Sequence, residues 1–190
     1  MMNFLQELDE RILLAVNSFH SGFFDSIMWW VSGKFSWWPL YLAIIFALFY
    51  FRKWKPALVI FLLTVVLVTI SDQTSVHFFK NVFQRLRPSR NPELEGLLHL
   101  VNGYRGGKFG FISSHASNSF AVAAFLHFIF RRKWISLILF LWATLVSYSR
   151  MYLGVHYFFD VLAGAAWGFL LGLGMYYLWI SFVQDKFREG

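Results

Sequence analysis

The chain contains no cysteine, so a disulfide scaffold, a thiolate zinc site and a cysteine nucleophile are all excluded. It is also short of charge. Only 14% of its 190 residues are Asp, Glu, Lys or Arg, against roughly 25% in a soluble domain. The first twenty residues carry Glu7, Asp9 and Glu10 and show no basic segment ahead of an apolar run, so no leader pattern is legible. What the sequence has in abundance is apolar and aromatic surface: 58% hydrophobic residues, 24 Phe and 9 Trp. Such a composition rules out a disordered chain and exceeds what a core of this size could bury. It implies an all-α integral membrane bundle, organised as a single domain over residues 1–190.

Hydropathy and polarity divide the chain. Residues 3–19 place Phe4, Leu5, Leu8, Ile12 and Val16 at three- and four-residue intervals, with Glu7, Glu10 and Arg11 largely opposite. This predicts an amphipathic helix on the bilayer surface. Segment 22–33 is apolar but short and contains Asp25; it reads as interfacial or re-entrant, with an additional span as the alternative. Segments 36–51, 56–79, 115–130, 134–149 and 157–183 read as membrane spans, giving five to six in all. Gly164, Gly168, Gly172 and Gly174 in the last span predict close helix approach.

The net charge of +7 is not a nucleic-acid signature in so apolar a chain. The short loops at 52–55 and 131–133 carry three positive charges each and no acid, which makes their face cytoplasmic; the tail adds Lys186 and Arg188 against Asp185 and Glu189. The segment 80–108 breaks the rule. It holds Lys80, Arg85, Arg87, Arg90, Arg105 and Lys108 on the opposite face, against only Glu93 and Glu95. A bound anion is the simplest reason.

Three polar clusters share that face. In the first, Lys80 and Arg87 are seven residues apart before Pro88. If the helix runs through them they lie about 10 Å apart on one side, a clamp for phosphate; a snorkelling flank is the alternative. In the second, Ser113, Ser114 and His115 open an apolar helix. They offer hydroxyls, backbone N–H groups and a proton donor, or simply an N-cap. In the third, Arg150 precedes His156 and Asp160, which stack at i, i+4 on a helix. The carboxylate can hold one imidazole nitrogen and leave the other as nucleophile or base, or the pair can be structural. Alternating crossings bring all three clusters to one membrane face. There they could bind a tetrahedral oxyanion and offer in-line attack with a proton donor opposite.

The pattern Lys-x6-Arg-Pro, Ser-x-His and Ser-Arg-x5-His-x3-Asp, spread over residues 80–160, resembles the type-2 phosphatidic acid phosphatase superfamily. The resemblance implies a metal- and cofactor-independent lipid phosphatase. His156 would be the nucleophile that forms a phosphohistidine, Asp160 its orienting partner and His115 the acid for the leaving oxygen. Lys80, Arg87, Ser113, Ser114 and Arg150 would cradle the phosphate. The usual Pro-Ser-Gly-His reads Ile112-Ser113-Ser114-His115 here, which alters the turn's preferred backbone.

An outward-facing site in the cytoplasmic membrane suits undecaprenyl diphosphate, with phosphatidylglycerol phosphate and lipid A phosphates as alternatives. Loop 89–108 is the expected seat of selectivity. A bundle that binds or transports anionic lipid would use the same cations without hydrolysis, and a haloperoxidase-like vanadium site is a third reading. Asp72 within the second span is expected to bridge helices. His20, His99 and His127 are expected at interfaces or in packing, and Trp29, Trp30, Trp37 and Trp38 as bilayer anchors. His77 is open between structural and supporting roles.

Overall fold

The computed structural model describes residues 2–183, so the tail charges at 185–189 lie outside the described residues. Among the described residues seven main helices form the bundle: α1 (Met2–Ser18), α2 (Gly22–Ser32), α3 (Trp38–Phe51), α4 (Trp54–Phe83), α5 (Ser114–Phe130), α6 (Lys133–Tyr152) and α7 (Phe158–Leu178). Among the described residues the sole β-type pairing is an isolated bridge between Leu86 and Phe109.

By length and composition α4, α6 and α7 can each cross a membrane, and α2 with α3 forms a pair bent by 81° that could make a fourth, broken span. The five to six spans expected also count α5 and α3, which are shorter at 17 and 14 residues, about 26 and 21 Å against a hydrocarbon core of about 30 Å. α3 starts beside Trp142, partway along α6, where Trp37 and Tyr41 meet that indole edge-on, and ends where Phe51 meets Phe130. The segment 22–33 therefore does not cross as a straight helix.

α5 is the central helix, with Ala121, Ala123, Ala124, Phe125, Leu126 and Ile129 buried. It runs parallel to α7, and the glycine stripe sets their spacing. A Cβ on Gly164, Gly168 or Gly172 would meet the carbonyl oxygens of Ser113, Ser117 and Ala121 at 2.6, 2.1 and 2.5 Å. Gly174, expected in the same stripe, has nothing within 4 Å. Lipid gives helices no hydrophobic reason to associate, so contact this close is what holds the pair together. At the far end Arg131 caps α5 in the left-handed region, and Arg52 Nη2 donates to the Ile129 carbonyl at 2.5 Å. The two basic loops thus share one end of the bundle, and His127 bonds Ser136 across α5 and α6.

α1 is helical as its spacing predicts, and Phe4 and Leu5 are exposed; the face turned to the protein, which that spacing did not mark, is Asp9, Leu13 and Asn17. Asn17 donates to the His99 and Tyr152 carbonyls and accepts from His99 N–H, fastening α1 to the site end. His99 stacks on His20 and bonds Asp25, as its packing role requires. Trp29, Trp30 and Trp38 are exposed, whereas Trp37 Nε1 donates to the Val31 carbonyl.

Candidate active site

The first cluster is not on a continuous α-helix. In α4 the residues Ser75–Lys80 form a π-helical stretch, and the helix ends at Phe83 with Gln84 left-handed at φ 48. Arg87 is extended (φ −67, ψ 153), as the residue before a proline must be. Its N–H donates to the Lys108 carbonyl, while Gly110 N–H donates to the Arg85 carbonyl. This pairing, rather than two helical turns, is what carries Arg87 back over Lys80. Arg87 Nε is tied to the Phe109 carbonyl at 3.1 Å, leaving Nη1 buried with no partner. Gly106, at φ +63, is a position where only glycine fits: a Cβ there would lie 2.7 Å from that same Nη1.

Ser113 is fully buried and caps α5, its Oγ accepting from Ala116 N–H at 3.4 Å. The N-cap alternative therefore holds for it. Ser113 N–H in turn donates to the Asp160 carbonyl, which ties the starts of α5 and α7 together. Ser114 Oγ receives a 2.5 Å bond from Lys80 Nζ, so the residue that replaces the usual glycine orients the first cation.

Lys80, Arg87, Ser114, His115 and His156 line one cavity of about 820 Å³. The cavity continues inward past Asp72, Gln73 and Asn118 to an apolar end at Ile44, Leu48, Phe61 and Val65. Asn118 Nδ2 donates to Asp72 Oδ1 at 3.4 Å, bridging α4 and α5 as expected of Asp72. His77 is not among the lining residues. None of loop 88–108 lines the cavity either. The loop acts from behind, through Gly106 against Arg87 and Tyr104 against Arg150. Arg150 is buried with its terminal nitrogens on Ser32 Oγ and Tyr104 Oη, and its Nε has no partner.

His156 lies in the turn between α6 and α7, its ring 1% exposed. Nδ1 is 3.4 Å from Asp160 Oδ2 but makes no hydrogen bond to it, and is buried without a hydrogen-bond partner. Burial, then Arg87, Arg150 and Lys80, hold the imidazole well below its ordinary pKa. It is therefore neutral at pH 7, as a nucleophile must be. Burial and the neighbouring Arg150 bring Arg87 down to about 10, still cationic.

Asp160 is held by partners other than His156. Its Oδ1 accepts from Arg85 Nη1 at 2.8 Å and its Oδ2 from Tyr157 N–H at 3.1 Å. Arg85 was legible only as one loop cation among several, and nothing in its spacing pairs it with residue 160. Lys34, at the bend after α2, also lines the cavity; its sequence context of Gly and Trp gave no signal of that.

The PAP2 superfamily model matches residues 57–183. The chain is 42% identical to a lipid A 4'-phosphatase of Bacteroides thetaiotaomicron, covering 94% of this chain and 80% of that protein. A lipid A 4'-phosphatase of Porphyromonas gingivalis is 36% identical, with 94% and 76% covered. Phosphatidylglycerophosphatase B of Bacillus subtilis is 32% identical over 80% and 70%. Among solved structures, the transmembrane PAP2-type phosphatidylglycerolphosphate phosphatase from Bacillus subtilis superposes with a TM-score of 0.69 over 96% of this chain and 89% of that one, at 24% identity. Aquifex aeolicus LpxE gives 0.64 over 88% and 94%, also at 24% identity. With the family pattern gathered around one membrane-embedded cavity, the chain belongs to the PAP2 superfamily and is a phosphoric ester hydrolase of the membrane.

Proposed function

We propose that the protein removes a phosphate monoester from a phosphorylated glycolipid of the lipid A kind, at the outer face of the cytoplasmic membrane, through a phosphohistidine on His156. The observation that carries the chemistry is one cavity in which a buried, neutral His156 stands with Lys80, Arg87, Ser114 and His115. Arg87 Nη1, buried and unpartnered, is a donor that a phosphate in this cavity would satisfy, whereas Arg150 is not among the lining residues.

His156 Nδ1 is turned to Asp160, so Nε2 carries the lone pair that attacks phosphorus. The P–O bond to the lipid breaks as His115, which takes up a proton when the dianionic phosphate binds, gives that proton to the departing oxygen. Water then attacks the phosphohistidine and passes a proton to His115. Inorganic phosphate leaves, and both imidazoles return to their starting states. Lys80, Arg87 and the α5 N-terminus offset the charge on the equatorial oxygens.

The substrate class rests on 42% and 36% identity to lipid A 4'-phosphatases over nearly the whole chain. Asp72, Gln73 and Asn118 in the cavity wall are consistent with it, being placed to bond a sugar or hydroxyacyl group below the phosphate. Undecaprenyl diphosphate, the substrate expected from the sequence, has no such groups and no support among these relatives. The test is phosphate release in detergent, with a chelator present, from lipid A, phosphatidylglycerol phosphate and undecaprenyl diphosphate. Fastest turnover of lipid A supports the reading, and fastest turnover of the polyprenyl diphosphate overturns it. Vanadate should inhibit, since it mimics the phosphoryl transition state; lipid binding with no turnover and no inhibition would indicate a binding bundle.

A further inference from the structure

The α1 helix lies outside the segments that carry the phosphatase pattern, yet it reaches the site. Asp9 is 1% exposed, on a helix whose outer face is apolar or charged. Its Oδ2 accepts from Arg85 Nη2 at 2.7 Å and its Oδ1 from Phe159 N–H at 2.9 Å. The other terminal nitrogen of the same guanidinium is on Asp160 Oδ1 at 2.8 Å. Arg85 is therefore shared between a carboxylate on α1 and the carboxylate beside His156, with its plane resting 4.0 Å from the Tyr157 ring. Each carboxylate also takes a backbone N–H from the start of α7, Tyr157 for Asp160 and Phe159 for Asp9.

This closed arrangement fixes which way Asp160 faces. A guanidinium held by one carboxylate alone can turn about its long side chain; held at both terminal nitrogens, it cannot. With Arg85 on Oδ1, Oδ2 takes Tyr157 N–H and faces His156 Nδ1 at 3.4 Å, the carboxylate oxygen nearest that imidazole. Burial pushes the Asp9 carboxyl up while Phe159 N–H and Arg85 pull it down, so its charge depends on both partners staying in place. Asn17, two turns along the same face, bonds the Tyr152 and His99 carbonyls and holds α1 at its other end.

We propose that Asp9 is a positioning residue for the phosphatase reaction: through Arg85 it sets the orientation of Asp160 and hence of the His156 imidazole, making the surface helix α1 part of the catalytic apparatus. The inference rests on the reading of His156 as nucleophile.

Asp9→Asn keeps the shape and an acceptor for Phe159 N–H but removes the charge and turns a donor toward Arg85. Expected is a kcat loss of about ten- to hundredfold, with KM within twofold. The double variant with Arg85→Gln should lose little more than Arg85→Gln alone, since both act through one chain of bonds. Glu7→Gln, on the exposed side of the same helix, should match the parent. In parallel, nitrogen NMR of histidine-labelled protein should show the His156 signals displaced in Asp9→Asn and unmoved in Glu7→Gln. Parent-like kcat and an unmoved His156 in Asp9→Asn would overturn the proposal. So would a raised KM at unchanged kcat, which would assign α1 to lipid capture. If the parent protein released no phosphate, the functional reading would fall while the NMR comparison would still decide whether Asp9 orients His156.

Discussion

Gly168 faces Ser117 so closely that a Cβ at residue 168 would sit 2.1 Å from the Ser117 carbonyl oxygen. Because that oxygen belongs to the backbone of α5, it cannot step aside as a flexible side chain would. Gly168→Ala must therefore push α7 away from α5. We expect a loss of about 1–3 kcal/mol or more, read as a lower Tm in detergent, with reduced phosphate release as the Ser113–Asp160 link loosens. Gly174→Ala, into open space, should leave Tm unchanged or raise it.

His156→Ala should abolish phosphate release, and undiminished turnover would remove the phosphohistidine from consideration. His115→Gln should cost about 10²- to 10⁴-fold on a lipid monoester. The loss should be much smaller on a nitrophenyl phosphate, whose leaving group departs without a proton. Equal losses on both substrates would show that His115 is not the acid.

Arg87→Lys keeps a cation but loses the planar fork that is tied to Phe109 at Nε and free at Nη1. A fall in kcat/KM of about ten- to hundredfold, with weaker vanadate inhibition, is expected. Parent-like kinetics would make Arg87 a general source of charge rather than a bidentate grip.

Acidification should weaken the fold through His156. Its folded pKa lies well below the ordinary value, whereas the unfolded ring protonates near 6.5. Between those two values the unfolded chain binds the extra proton. Stability is thus full above about pH 6.5 and falls as pH drops, by at most about 1.4 kcal/mol per pH unit from this group. The Tm difference between pH 7.5 and 5.5 should shrink in His156→Asn; an unchanged difference would mean other groups set it.

The membrane helices and the family residues were legible because both are local signals. Segments 115–130 and 134–149 fall inside α5 and α6 with small shifts at the ends. Lys80, Arg87, His115 and His156 meet in one cavity as three clusters on one face should. Illegible were the features set by pairing across long separations. The stretch 85–87 leaves the helix because it bonds 108–110, and a helical reading of Lys80 to Arg87 could not anticipate that. Asp9 is in sequence only one acid among several near the start of the chain, and nothing there signals that Arg85 joins it to Asp160, 151 residues away. Selectivity is expected in loop 89–108 because it lies between two clusters, yet the cavity wall is drawn from α2 to α6 and includes no residue of that loop.

That wall has a kinetic consequence. Val65, at the apolar end of the cavity, is about half exposed, and we expect the lipid to enter there from the bilayer. Substrate would arrive by diffusing in two dimensions, while the freed inorganic anion departs into water. Turnover should then scale with the mole fraction of substrate in a vesicle or micelle and be indifferent to its bulk molarity. Diluting the membrane with inert lipid should slow the enzyme, whereas diluting the suspension with buffer should not.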